Sequence, residues 1–447
     1  MHSTPHATDL RVRVEEDSLV DRAHTWIRLV AERTATTAQL SELALRAAEQ
    51  ADHPAGWYPP SLTHGQAGSA LLHLYAARAG LGRYDDAFGH IREAVLSTQM
   101  EPLQGPGLFA GTSGLALTLA DCTRDEPRFQ GSLDRLHAQL ADQVLETPFH
   151  AVEREVSDLD YDLVTGAAGT LTHLVSVADP TDRLSGAAAR LIDHLVWLAG
   201  PATTPATPHR WLITPGLYPP GGNHLERYPH GYLNLGFSHG VPGVAAALAA
   251  AWRAGHRRPG QAAAIESLTS WILAQRHADR YGPFWTDGTP VDADGRETPA
   301  DCGHDQLAWC YGTAGVSAAL LAVADATGDA VLRATAVEAF DGVLARAEGV
   351  RLPSPTLCHG HAGLVMICQE FAPFSPRARD RLPRLFEDLL AYGDASLPVC
   401  FADQEVPGNH VDDPTLLTGA TGVALTLLSA TATGSERPLW LRAFLTR

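Results

Sequence analysis

A Gly-X-X-Gly step recurs seven times along the chain, and it constrains the fold more than any other sequence feature. The copies are Gly65/Gly68, Gly111/Gly114, Gly166/Gly169, Gly240/Gly243, Gly312/Gly315, Gly360/Gly363 and Gly419/Gly422. From Gly65 to Gly419 the first glycine covers 354 residues in six intervals, a mean of 59 residues. A period of that order indicates one supersecondary unit per copy, so we predict a repeat protein.

Each copy is followed by a small, apolar, helix-forming run. After Gly315, for example, Val316, Leu320 and Val323 fall on one face at helical spacing. More charged amphipathic runs lie before the first copy, at 22–50, and between the copies, at 84–98, 133–145, 184–199, 260–276, 329–346 and 377–393. Two helices per repeat predict about fourteen helices. We therefore expect an all-α fold, an (α/α)7 toroid with the apolar helices inside and the charged helices outside.

The turns and the long intervals between them set the expected domain organisation. Glycine is expected at each turn because it accepts positive φ and close backbone approach, and side chains just before the turns should face a central cavity. A Pro-rich loop insertion is predicted at about 201–235, and a second insertion with a short strand and turn at about 280–305. We predict one toroidal domain over 16–447 after a flexible N-terminus at 1–15.

The overall charge narrows the choice of partners. The 447-residue chain has 33 basic and 51 acidic residues, a formal charge of −18, which argues against nucleic acid or an anionic membrane surface. Residues 1–14 lack the apolar segment of a secretory signal, and no later run has the ~18 apolar residues that a membrane helix needs. We expect a cytoplasmic protein that does not insert into membranes and whose cysteines stay reduced.

Two of the cysteines occupy equivalent positions, two residues before the first glycine of a turn. They are Cys310 and Cys358, and His359 follows Cys358 directly. Two thiolates and an imidazole are suitable ligands for zinc, and three protein ligands leave one tetrahedral position open. Burial as packing residues is the alternative for the thiols. His361, one residue beyond Gly360, is a rival ligand to His359. We assign Cys122, Cys302, Cys368 and Cys400 to packing or to the surface.

Further polar residues lie at or near the same position in other turns. His239 directly precedes Gly240, and a histidine is the usual proton carrier near neutral pH. Asp162, four residues before Gly166, is a second functional group at the cavity rim, or else a helix cap or a surface carboxylate. His64 and Thr418 occupy the position directly before Gly65 and Gly419, and we interpret both as packing or hydrogen-bonding residues.

These turns resemble the signature turns of the LanC family of lanthionine synthetase cyclases. The resemblance is carried by Trp309-Cys310-Tyr311-Gly312, Cys358-His359-Gly360, Ser238-His239-Gly240 and Leu417-Thr418-Gly419, and it runs over nearly the whole chain. It implies a toroid with one central Zn²⁺ per chain, held by Cys310, Cys358 and His359. It also implies that His239 and Asp162 match the family's acid/base histidine and aspartate.

The implied activity is thioether formation in lanthipeptide (lantibiotic) biosynthesis. A cysteine thiol of a dehydrated precursor peptide would add to dehydroalanine or dehydrobutyrine and give lanthionine or methyllanthionine. His239 would act either as the base for the thiol or as the acid for the enolate. The expected partners are the precursor with its leader, for which the 201–235 region is a candidate contact, and a lanthipeptide dehydratase. The chain departs from the family at Gln306, where members often carry arginine, and His304 is a candidate substitute.

Two other functions fit the same sequence. A LanC-like zinc protein could add glutathione or another thiol to activated alkenes, and a non-catalytic scaffold could bind peptides without chemistry. A neighbouring dehydratase gene and a short Ser/Thr/Cys-rich precursor gene would favour the cyclase. Stoichiometric zinc that is lost on Cys310→Ala would exclude the scaffold.

Overall fold

The computed structural model describes residues 12–52, 56–148, 155–202, 209–219, 223–300, 305–404, 408–432 and 437–445. By their contacts the residues form two compact units. The first comprises Met1–Pro102, Leu117–Ser132 and Ala347–Phe444, and the second comprises Leu103–Ala116, Leu133–Arg346 and Leu445–Arg447.

Seven helices, the motif helices, each begin at the residue after the first glycine of a copy. They are α3 (Gln66–Arg78), α5 (Thr112–Thr123), α7 (Ala167–Leu174), α10 (Val241–Arg253), α12 (Thr313–Thr327), α14 (His361–Phe371) and α16 (Ala420–Thr431). Their residues are mostly buried, in agreement with their small apolar side chains. The predicted apolar helix is therefore present after every copy.

The charged runs form the partner helices. These are α1 (Asp17–Arg33), α4 (Tyr84–Ser97), α6 (Gln130–Glu146), α8 (Asp182–Leu198), α11 (Gln261–Ala274), α13 (Ala330–Arg346) and α15 (Pro376–Leu390). In the first unit α3 packs on α4, α14 on α15, and α16 on α1. In the second unit α7 packs on α8, α10 on α11, and α12 on α13. The last motif helix thus takes its partner from the start of the chain.

One predicted run is divided. Residues 22–50 hold the end of α1 and a separate helix, α2 (Thr37–Gln50). A capping box starts α2: the Gln39 N–H donates to the Thr36 hydroxyl, and the Thr36 N–H donates to the Gln39 side chain, each at 3.2 Å. This reciprocal pair satisfies two N–H groups that a helix start leaves without partners. Two further short helices are α9 (His224–Arg227) and α17 (Arg442–Leu445).

The two insertions carry the described strands. Strands β1 (Leu212–Ile213), β2 (Tyr232–Asn234) and β5 (Gly288–Pro290) form one antiparallel sheet in the order β1-β2-β5. Strands β3 (His277–Asp279) and β4 (Gly282–Phe284) form a hairpin. The strand predicted near Tyr281 is therefore confirmed as β4. The pairing of the first insertion with the second, Leu233 opposite Thr289, was not predicted.

The glycines serve mainly to allow close packing. Gly312 has a φ of +95°, but Gly65, Gly166, Gly240, Gly360 and Gly419 all have negative φ. The predicted positive φ is thus correct at Gly312 and wrong at the other five. A Cβ on Gly65 would lie 2.1 Å from the Tyr58 carbonyl oxygen, and one on Gly315 would lie 2.2 Å from that of Trp309. Backbone approaches this close exclude any side chain.

The described part of the N-terminal segment is attached to the first unit. Val14 is buried, and its N–H donates to the Ala430 carbonyl at 3.0 Å. Residues 1–11 of the predicted flexible segment lie outside the described residues. The flexible N-terminus and the single toroidal domain stay predictions.

Candidate active site

Within each unit, backbone hydrogen bonds join one turn to the next, and in the first unit they also join the last turn of the chain to the first. In the second unit the Phe109 N–H donates to Val164 O at 2.9 Å, Leu163 N–H to Ser238 O at 3.0 Å, and Phe237 N–H to Cys310 O at 2.8 Å. In the first unit the Cys358 N–H donates to Leu417 O at 3.1 Å, and Leu416 N–H to Thr63 O at 3.0 Å. These bonds place the residues before neighbouring turns side by side.

His239 and Asp162 are brought together in the second unit. The His239 Nδ1–H donates to Asp162 Oδ2 at 2.6 Å, so Nε2 is the nitrogen that faces away from the carboxylate. Asp162 is fully buried, whereas 31% of the His239 side chain is exposed. Burial alone would lower the pKa of His239, but the hydrogen bond and charge of Asp162, with the charges of Asp158 and Cys310, outweigh it and raise the pKa.

Asp162 also caps its own turn. Its Oδ1 accepts the N–H groups of Val164, Thr165 and Gly166 at 3.0, 2.8 and 2.7 Å. One oxygen of Asp162 therefore caps the turn and the other contacts His239, and its functional role stays a prediction. A carboxylate engaged at both oxygens is suited to orienting the imidazole.

Three residues that the sequence analysis missed lie around this pair. Asp158 is buried, and burial raises its pKa. The Tyr311 ring centroid lies 6.3 Å from that of His239, and its hydroxyl accepts from Asn234 Nδ2 at 3.3 Å. Tyr311 directly follows Cys310, and Asp158 lies four residues before Asp162, so both had a signal in the sequence. Asn234 had none, because it reaches the site through strand β2.

The turn that carries Cys310 is unusually constrained. Cys310 is buried, with 8% of its surface exposed. Leu307 adopts φ +53°, a left-handed conformation that is costly for a residue with a branched side chain. The N–H of Thr313 donates to Asp305 Oδ1 at 2.8 Å, and Arg346 pairs with Asp305 Oδ2 at 3.4 Å. Gln306 is exposed here, and the candidate substitute His304 lies outside the described residues.

Cys358 and His359 lie in the first unit, where His359 contacts a carboxylate. The His359 Nε2 lies 3.2 Å from Asp403 Oδ1, and this oxygen also accepts the Ser354 hydroxyl at 2.6 Å. Asp403, which is 44 residues from His359 along the chain, was not predicted from the sequence. The rival ligand His361 is buried with its ring against Tyr392, at a centroid distance of 5.6 Å.

His64 and Thr418 form hydrogen bonds in the same unit, as interpreted from the sequence. The Thr418 hydroxyl lies 3.4 Å from His64 Nε2 and donates to Asp413 Oδ2 at 2.6 Å. Burial lowers the pKa of His64. Both residues line an open cleft of about 660 Å³, together with Asp403, Asp413 and the alanine-rich face of α2.

The other described cysteines occupy buried positions, as expected for packing residues. Cys122, Cys368 and Cys400 are buried, and the Cys368 thiol donates to the Ala378 carbonyl at 3.3 Å between α14 and α15. Cys302 lies outside the described residues.

Among the described residues, no three His, Cys, Asp or Glu side chains are grouped closely enough to hold a metal ion. Of the helices formed by these residues, none combines the length and the apolar character that crossing a membrane requires.

Comparisons with known proteins give a consistent result. A family model described as "Lanthionine synthetase C-like protein" matches residues 56–445. The nisin biosynthesis protein NisC of Lactococcus lactis subsp. lactis is 27% identical over 271 residues, which are 59% of this chain and 62% of that protein. The alignment thus spans less than two thirds of the length of this relative.

A solved structure extends the comparison to the fold. The chain superimposes on a nisin cyclase with a TM-score of 0.74 at 21% sequence identity, over 92% of this chain and 95% of the other. The match, with the motif and partner helices described above, confirms the all-α class predicted from the seven glycine steps.

Proposed function

The chain belongs to the lanthionine synthetase C-like family, and from this premise we propose that it is a lanthipeptide cyclase. It would add a cysteine thiol of a dehydrated precursor peptide across the double bond of dehydroalanine or dehydrobutyrine. A C–S bond forms at the β-carbon, the thiol proton is lost, and a proton is added at the α-carbon. No group leaves, so ring closure does not change the mass of the peptide.

The observation that best supports this proposal is the His239–Asp162 pair beside the Cys310 turn. The reaction needs one proton removed and one delivered, and both transfers are suited to an imidazole with a pKa near neutrality. Asp162 holds Nδ1, at 2.6 Å, so Nε2 is the atom that would exchange the proton. Asp162 would act through His239 as a positioning residue. Whether Nε2 takes the proton from the thiol or gives it to the α-carbon is decided by the pH dependence of each step.

We further propose that Cys310, Cys358 and His359 hold one zinc ion. Two thiolates and an imidazole suit zinc, and a set of three protein ligands leaves a place for a substrate thiol. A zinc ion bound there would lower the pKa of that thiol, which is otherwise near 8.5, and keep it as the reactive thiolate at neutral pH. Donor chemistry, equivalent positions before two turns and the carboxylate contact of His359 support this assignment.

The substrate partner would be a dehydrated precursor peptide with its leader, supplied by a dehydratase. The first insertion is a candidate contact for this peptide because strand β2 runs directly into the turn that carries His239. Its aromatic side chains Tyr218, Tyr228 and Tyr232 pack together around Ile213.

The test is ring closure in a purified system. The zinc-loaded protein is incubated with a peptide that holds one dehydroalanine on the N-terminal side of a cysteine, and remaining thiols are alkylated before mass spectrometry. We expect the thiol to become protected from alkylation with no change in peptide mass. Cys310→Ala should abolish protection and zinc binding together, whereas Cys122→Ala, a buried cysteine remote from the turns in sequence, should retain both. Full alkylation by the zinc-loaded protein, with this peptide and with dehydrated natural precursors, would refute the cyclase assignment. A gain in mass equal to one added glutathione, with the peptide cysteine still open to alkylation, would favour the thiol-transfer alternative.

A further inference from the structure

We propose that Asp403 is a positioning residue for the metal ligand His359. The inference rests on the zinc assignment made above and adds a residue that lies outside the glycine turns. Asp403 would fix which ring nitrogen of His359 faces the metal and would raise the basicity of that nitrogen.

The contact between Asp403 and His359 is direct. Asp403 is 5% exposed, and its Oδ1 lies 3.2 Å from His359 Nε2. A carboxylate accepts and does not donate, so this contact requires a proton on Nε2. His359 then presents Nδ1 as the nitrogen that would bind a metal. The arrangement is the carboxylate–histidine pair that commonly supports metal-binding histidines.

The carboxylate of Asp403 is itself held in place. The Ser354 hydroxyl donates to the same oxygen at 2.6 Å, and Ser354 in turn lies 2.8 Å from the Thr356 hydroxyl. The backbone of Asp403 is paired with that of Val411 by two hydrogen bonds of 2.8 and 3.0 Å. A carboxylate fixed through both its side chain and its backbone can restrict the rotation of the imidazole.

His359 and His239 differ in the ring nitrogen that their aspartates contact. Both histidines directly precede the first glycine of a turn, and each contacts a buried aspartate. In His239 the aspartate takes Nδ1, which leaves Nε2 at the far end of the ring for proton exchange. In His359 the aspartate contacts Nε2, so Nδ1, the ring nitrogen nearer the residue's own backbone, is the one that would face a metal. Opposite placement of the carboxylate thus suits one imidazole to proton transfer and the other to metal binding.

Asp413 provides a matched control. It lines the same cleft as Asp403, it is similarly buried at 8%, and it accepts the hydroxyls of Thr415 and Thr418 at 2.9 and 2.6 Å. Replacement of Asp413 therefore perturbs the same wall of the cleft without removing the contact to His359.

The experiment is a zinc competition titration of the purified full chain against a chromophoric chelator. Asp403→Ala removes both charge and acceptor, and we expect zinc affinity to fall by about 10- to 100-fold. Asp403→Asn keeps an acceptor and loses the charge, so its loss should be smaller. Asp413→Ala should stay within about twofold of the parent protein, since it leaves the support of His359 intact. Circular dichroism verifies that each variant is folded. If Asp403→Ala is not folded, the zinc affinity of Asp403→Asn alone tests the role of Asp403.

A second readout separates positioning from general stability. With Co²⁺ in place of zinc, the Asp403 variants should change the visible ligand-field spectrum, whereas Asp413→Ala should not. Zinc affinity and cobalt spectra of both Asp403 variants equal to those of the parent would overturn the role of Asp403 while leaving the zinc assignment intact. If the parent protein bound no stoichiometric zinc, the zinc assignment and this inference would both fail.

Discussion

Asp162→Asn isolates the contribution of the aspartate to His239. Asparagine keeps an oxygen at the Oδ1 position, so it can still accept the N–H groups of Val164, Thr165 and Gly166 and preserve the turn. At the Oδ2 position it places an amide NH₂, 2.6 Å from His239 Nδ1 in the parent geometry. An amide donates, so Nδ1 must become the acceptor and the proton of the neutral ring moves to Nε2.

The size of the effect follows from the bond that is lost. A hydrogen bond to a charged group contributes about 1.5–3 kcal/mol, and one pKa unit corresponds to about 1.4 kcal/mol. The pKa of His239, which Asp162 raises, should therefore fall by about 1–2 units in the variant. Ring closure should slow by about 10²–10⁴-fold, the usual contribution of a positioned acid or base.

The assay is the pH–rate profile of ring closure, measured by thiol protection, together with zinc content. The limb assigned to His239 should move to lower pH in Asp162→Asn whether the imidazole acts as acid or as base, and zinc content should not change. Asp160→Asn is the matched control. Asp160 lies two residues before Asp162, and its carboxylate accepts from the Ser157 N–H at 2.9 Å. A variant with the parent rate and an unshifted limb would refute the role of Asp162. Loss of zinc would instead indicate that the turn, and not the imidazole, depends on the carboxylate.

Three further predictions concern stability. Gly312→Ala should destabilise the protein by more than about 1–2 kcal/mol, the cost of a left-handed residue. The reason is that its Cβ would also lie 2.7 Å from Asp305 Oδ1. Gly328→Ala, at φ +74° with no atom within 4 Å of the added Cβ, should show the backbone cost alone in urea unfolding. A larger loss for Gly328→Ala than for Gly312→Ala would contradict this. Gly186 lies within α8, and nothing lies within 4 Å of a Cβ added there. Gly186→Ala should therefore stabilise the protein by about 0.5–1 kcal/mol. Any destabilisation would contradict the open space around this position. Burial lowers the pKa of the stacked pair His73 and His90 to about 4 and about 3, so each is neutral when folded and charges on unfolding below pH ~6.5. The free energy of unfolding should fall by about 1.4 kcal/mol per pH unit for each histidine as the pH drops from about 6.5 toward 4. His90→Phe should make this slope shallower. Equal slopes in the variant and the parent protein would show that His90 does not titrate in this way.

The repeats were predictable because their signal is local. Each motif helix begins at the residue after its first glycine, and the partner helices follow the charged runs to within a few residues. The break between α1 and α2 was missed although Thr36 and Gln39 carry a capping-box pattern, because the run is amphipathic on both sides of it. The reason for the glycines was only partly foreseen. Only close backbone approach, which sequence does not show directly, explains Gly65 and Gly315.

Candidate site residues could be named from the sequence where a turn marks them, and their roles stay predictions, whereas contacts between distant segments could not be named. His239, Cys310 and His359 stand at fixed positions before a glycine, and Asp162 lies in the run before another. Asp403 reaches His359 from a segment with no repeat signature, and Asn234 arrives on a strand whose partner lies in the other insertion. Such contacts depend on long-range packing, which one sequence does not encode as a pattern.

The central claim is that a thiol adds across a carbon–carbon double bond, and ring closure in D₂O tests it most directly. Protonation at the α-carbon should leave one non-exchangeable deuterium per ring after return to H₂O, with the same number of thiols protected from alkylation, and Cys310→Ala should show neither. Protected thiols that carry no carbon-bound deuterium, or that reappear on reduction, would contradict the account.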